Sequence, residues 1–170
     1  HLAISDDGLE WTALNDNQPL LRAPAGHCIR DPHISQSKNG DYHLFFTTGW
    51  QAKNVIGHCT SRDLVSWSEM ELVPVMRGVE GVRNCWAPEC FYDEEAQLYR
   101  LIWSSSVTEP NGEADWNHRI WCCATPDFVE YSKAEIFFDP GFSVIDASVA
   151  KSDDGYLMAV KDERGDNVWD

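Results

Sequence analysis

The chain reads as an all-β protein, a β-propeller of four-stranded antiparallel blades, and three observations predict it. No window sustains a 3.6-residue apolar period. Short runs rich in aromatic and β-branched residues alternate with turns of Asp, Asn and Gly. Two interleaved patterns recur along the 170 residues, at the interval expected of blades rather than of a helical repeat.

The elements follow in order. Residues 1–21 open with HLAISDDGLEWTAL, a strand, an Asp turn, an aromatic residue and a second strand. The same pattern returns in IGHCTSRDLVSWSEMEL (56–72) and IWCCATPDFVEYSKAEI (120–136), with Trp11, Trp67 and Tyr131 in register. A second pattern, strand, polar turn, strand, runs through RDPHISQSKNGDYHLFFTT (30–48), WAPECFYDEEAQLYRLIWS (86–104) and IDASVAKSDDGYLMAVKD (145–162). Its alignment puts Asp31, Ala87 and Asp146 at one equivalent position, 56 and 59 residues apart.

The expected layout is therefore a single partial propeller over 1–170. An outer strand pair occupies 1–21, full blades occupy 30–75 and 86–139, and an inner strand pair occupies 145–162. That is about three blades' worth, with the terminal blade split between the two ends. Each half-blade would expose a strand edge. Two chains closing head-to-tail into a six-bladed ring would remove both edges, so a homo-oligomer, a dimer, is expected. Trp11 and Trp67 are expected in the blade core.

Charge and cysteine usage bound the partners. With 28 acidic against 13 basic residues and a net charge of −15, most of the surface would repel phosphate backbones and anionic lipid, so neither nucleic acid nor membrane is an expected partner. No apolar run, that near Ala134 to Phe138 included, is long enough to span a bilayer, and no signal segment opens the chain at His1. A soluble protein is expected, cytoplasmic or, after processing, secreted or periplasmic. The six cysteines form no C-x-x-C pair and read as small buried hydrophobes in a reducing environment. Adjacent Cys122 and Cys123 would face opposite sides of a strand.

The residues RDPHI, NCWAPECFYDEEAQLYRLIWSS, WNHRI and DPGFSVIDASV resemble glycoside hydrolase family 43, five-bladed propellers that cleave arabinose- and xylose-containing glycans. The resemblance implies that Asp31, opening the first inner strand, is the general base of an inverting hydrolysis, and that Asp146 raises the pKa of the acid and orients it. The family's acid, a Glu usually followed by Gly-Pro, has no counterpart here. It would come from Glu89, from a partner subunit or from sequence outside this chain. A rival resemblance, RDP followed by WAPEC, is to the family 32 propellers, and would make Asp31 a transition-state stabiliser and Glu89 the acid of a β-fructosidase. WNHRI and VIDASV match family 43 alone and favour it. The sequence shows no metal-ligand cluster and requires no cofactor, although the resemblance admits calcium.

Inner strands of a propeller converge on a central channel, so carboxylates 115 residues apart can share a cavity, with the acid and base of an inverting enzyme about 6.5–9.5 Å apart. Glu89, two residues past Ala87, is expected on the same face as the aligned Asp position. Arg30, adjacent to Asp31, is a candidate pair for it. Trp50, Asn84, Trp86 and His118 join Arg30 as candidate sugar-binding residues. Two function classes follow: a glycosidase acting on oligosaccharides, and a noncatalytic sugar-binding or assembly module.

Overall fold

The computed structural model describes residues 1–51, 53–108 and 116–165. Twelve strands run in chain order: β1 Ala3–Ile4, β2 Thr12–Ala13, β3 Arg30–Gln36, β4 Tyr42–Thr47, β5 Ile56–Ser61, β6 Glu71–Val73, β7 Trp86–Asp93, β8 Leu98–Ser105, β9 Arg119–Thr125, β10 Glu135–Phe138, β11 Val144–Ser152 and β12 Gly155–Asp162. They form a β1–β2 pair, the blade β3-β4-β5-β6, the blade β7-β8-β9-β10 and a β11–β12 pair, all antiparallel. The fold is the partial propeller that the repeats predict. No α-helix occurs among the described residues, and none is long and apolar enough to cross a membrane.

The repeated Asp turn is one hydrogen-bonding device used three times. Asp63 Oδ1 accepts the amides of Val65 and Ser66 (2.9 and 2.7 Å), while Ser61 Oγ accepts that of Leu64 (2.8 Å). Asp7 with Ser5, and Asp127 with Thr125, do the same. The turn needs a left-handed residue, supplied by Gly8, Leu64 and Phe128. Its carbonyl accepts the indole N–H of Trp11 or Trp67 or the hydroxyl of Tyr131. The aromatic register in the sequence is thus a clamp on each turn. Trp67 packs on Leu44, Phe46 and Cys59. Trp11, expected as core, is 63% exposed, because only β1 and β2 belong to its sheet among the described residues.

Strand alternation sends side chains to both faces of each blade. From β8, Leu101 and Trp103 enter the core shared with β4 and β5, and Ile102 enters the core shared with β11. Cys123 joins the first core and Cys122 the second. All six thiols are free, and burial pushes Cys85, Cys90 and Cys123 up to about 12. Gly57 pairs with Phe46, and a Cβ there would lie 2.1 Å from the ring, so the fully buried Phe46 fits only against glycine.

Candidate active site

The inner strands β3, β7 and β11 lie side by side, with β7 in the middle, and each carries the same irregularity near its start. Arg30 pairs with Thr47 and His33 with Phe45; Trp86 pairs with Ser104 and Glu89 with Ile102; Ile145 pairs with Lys161 and Ser148 with Ala159. Two inner-strand residues therefore oppose one partner residue, a β-bulge. Its first residue is left-handed in all three: Asp31 (φ 49), Ala87 (φ 45) and Asp146 (φ 53). Asp tolerates this conformation better than most residues, and alanine gains nothing from it. Pro32 and Pro88 occupy the second bulge position, where no ladder hydrogen bond is missed. The proline of RDP marks this bulge and not a plain strand start.

The bulges are tied blade to blade. Thr47, fully buried on β4, donates its hydroxyl to Asp31 Oδ2 (2.7 Å) and accepts the Ala87 amide (2.9 Å). One blade on, Ser104 Oγ accepts the Asp146 amide (3.0 Å). This relay brings Asp31, Glu89 and Asp146 to one cavity of about 230 Å³, also lined by Pro32, His33, Ala87, Pro88 and Ala147.

Glu89 braces the three inner strands. Its Oε2 accepts the Val149 amide (3.1 Å), and its Oε1 lies 3.9 Å from His33 Nδ1. His33 Nε2 is 3.0 Å from the Cys90 carbonyl, which can only accept, so that nitrogen carries a proton. Burial pushes the Asp146 carboxyl above the usual carboxylate range. The Lys161 ammonium opposes this rise and the Asp31 charge reinforces it.

The candidate sugar-binding residues divide. Trp86 lies 4.9 Å from Trp50, 5.7 Å from Trp116 and 5.0 Å from His118 between ring centroids, and its indole donates to the Trp50 carbonyl (3.0 Å). Arg30 lies over the Trp50 ring at 5.5 Å and forms no ion pair with Asp31 among the described residues. These side chains make an aromatic platform beside the cavity. Asn84 stands apart. It is fully buried, donates to the Ser104 carbonyl and accepts from the Ser106 amide and hydroxyl, bracing β8.

No group of three or more His, Cys, Asp or Glu is arranged to hold a metal among the described residues. Thr47 and Lys161 were missed in the sequence. Thr47, Ser104 and Lys161 pair with the residue before each bulge, yet they lie 16, 17 and 15 residues beyond Asp31, Ala87 and Asp146, so no fixed spacing marks them.

Comparison with known proteins places the whole chain. Residues 1–170 match a family model described as a probable glycosyl hydrolase domain, related to glycoside hydrolase family 43. Across 97% of its length the chain is 24% identical to an α-L-arabinofuranosidase of Bifidobacterium longum subsp. longum, and it spans 18% of that relative. A thermostable family-43 glycoside hydrolase superposes with a TM-score of 0.58 at 22% identity, over 80% of this chain and 42% of that one. The GH43_1 enzyme from Xanthomonas citri superposes with a TM-score of 0.62 at 16% identity, over 83% and 41%. The two superpositions report a shared fold.

Proposed function

We propose a glycosidase site, because the chain belongs to the family 43-related glycosyl hydrolases and its inner strands bring three carboxyl groups to one cavity. That convergence is the observation that carries the reading. The substrate is an oligosaccharide of arabinose or xylose type; arabinose is the sugar in the name of the arabinofuranosidase relative. Asp31 is the general base. Its carboxylate takes a proton from the water that attacks the anomeric carbon, and the Thr47 hydroxyl holds it in place. Asp146, whose carboxyl is raised by burial, orients the acid and tunes its ionisation. The acid protonates the departing glycosidic oxygen, so bond cleavage and proton transfer balance. Glu89, a residue of a partner subunit or sequence beyond this chain supplies it.

Turnover of nitrophenyl arabinofuranosides and xylosides tests the assignment. Asp31→Asn is expected to lower kcat by about 10²–10⁴ while glycan binding persists. Undiminished turnover in Asp31→Asn overturns it. Binding without any turnover by the parent chain supports instead the noncatalytic sugar-binding or assembly module. The β-fructosidase alternative, with Asp31 as stabiliser and Glu89 as acid, rests on Glu89 lining the same cavity, and family membership weighs against it. For assembly, the reading is a dimer in which the β11–β12 pair of one copy is completed by the β1–β2 pair of the other.

A further inference from the structure

We infer that the pocket lined by Gln51, Lys53, Arg83, Thr108 and Trp116 binds the carboxylate of an acidic sugar, so that the glycan reaching the neighbouring cavity carries a uronate. The inference rests on the carbohydrate reading above and specifies its substrate class. The pocket, of about 240 Å³, is separate from the carboxyl cavity and contains two cations and, among the described residues, no Asp or Glu. Six of the thirteen Lys and Arg residues, Arg62, Arg100, Arg119, Lys151, Lys161 and Arg164, pair with a carboxylate among the described residues. Lys53 and Arg83 form no such pair among the described residues.

Arg83 is built to receive an anion. Its Nη1 is buried without a hydrogen-bond partner among the described residues, a desolvated donor whose cost an incoming acceptor would recover. The guanidinium is fixed 3.8 Å above the Trp116 ring, and its planar fork matches a carboxylate in two parallel bonds. The frame beneath is rigid. Arg83 N donates to the Ser106 carbonyl (3.0 Å), Val82 bridges Val107, and Thr108 N donates to the Gly81 carbonyl (2.9 Å), continuing the β7–β8 ladder. Gly81 permits that approach: it is left-handed, and a Cβ would lie 2.8 Å from the Thr108 carbonyl oxygen.

The pocket also adjoins the sugar platform. Trp116 stacks on Trp86 at 5.7 Å and 16°, and Trp86 directly precedes Ala87 of the carboxyl cavity. Faces of this kind bind the C–H surface of a sugar ring, and a uronate on the Trp116 side would present its carboxylate to Arg83 and Lys53.

Titration calorimetry on the full chain tests this with a glucuronate-bearing xylo-oligosaccharide and the same oligosaccharide after carboxyl reduction. The acidic form is expected to bind about tenfold tighter, with the preference shrinking as salt rises and vanishing in Arg83→Gln. Lys53→Met changes an exposed side chain and is expected to weaken the preference, which keeps the test decisive if Arg83→Gln does not fold. Equal affinity for the two forms, or a preference untouched by both variants, overturns the inference and leaves the glycan reading intact. Failure to bind either form overturns both.

Discussion

Thr47 places two bonds on one oxygen, holding the Asp31 carboxylate and capturing the Ala87 amide at the same buried point. Thr47→Val keeps the shape and removes both. The orphaned amide costs about 1–3 kcal/mol, so the unfolding free energy from urea titration should fall by that amount. Turnover should fall as well, with KM little changed, because Asp31 would no longer be held for proton abstraction. A variant of full stability would show that the relay carries no weight. At this scale the sequence was partly legible. Asp31 and Asp146 stood out because carboxylates at aligned positions in apolar strands are expensive unless used. Thr47 did not, since a hydroxyl in FFTT reads as an ordinary strand residue until its partner on the next blade is known. Asn84 and Arg30 differed for the same reason. Their neighbours in space, Ser106 and Trp50, lie 22 and 20 residues away in the chain.

At the level of the element, alternation placed Glu89 on the cavity face, and the bulges are what bring Asp31 and Asp146 there too. A bulge leaves almost no trace in composition when Ala87 fills a position that favours glycine or aspartate. The blade β3–β6 carries a further feature, a buried histidine pair. His43 Nδ1 lies 3.0 Å from His58 Nε2, and the His43 ring stacks on Phe128 of the next blade at 3.7 Å. Burial holds His58 down to about 4, with His43 adding to the effect; burial also lowers His43, against the pull of Asp41. Both depressed values mean that the unfolded chain takes up protons first. The stabilisation is complete above about pH 6.5, the ordinary histidine value, and is lost as pH falls toward 4. Urea unfolding followed between pH 7 and 4 should show this slope, and His58→Phe should flatten it. An unchanged slope in that variant would place the dependence elsewhere.

For the molecule as a whole, two full blades between two strand pairs were readable from the repeats, because each turn repeats the same Asp and aromatic chemistry. What the repeats left unread was the pocket of Arg83 and Lys53, assembled from loop positions that share no period. The exposed Ile4 on β1 and the exposed Tyr156 and Leu157 on β12 mark the two open pairs. If those pairs complete each other, sedimentation velocity should show a species of twice the chain mass at micromolar concentration. A single species of one chain mass would overturn the dimer. Twice along the chain, a serine or threonine oxygen fixes the angle through which the next blade is turned, and a third such step would fall to Lys161, the residue opposite Ile145. An ammonium has donors and no lone pair, so it cannot accept a backbone amide. That ammonium is paired with Glu163 (2.6 Å), so the rotational increment is not handed on there by a bond of the same kind.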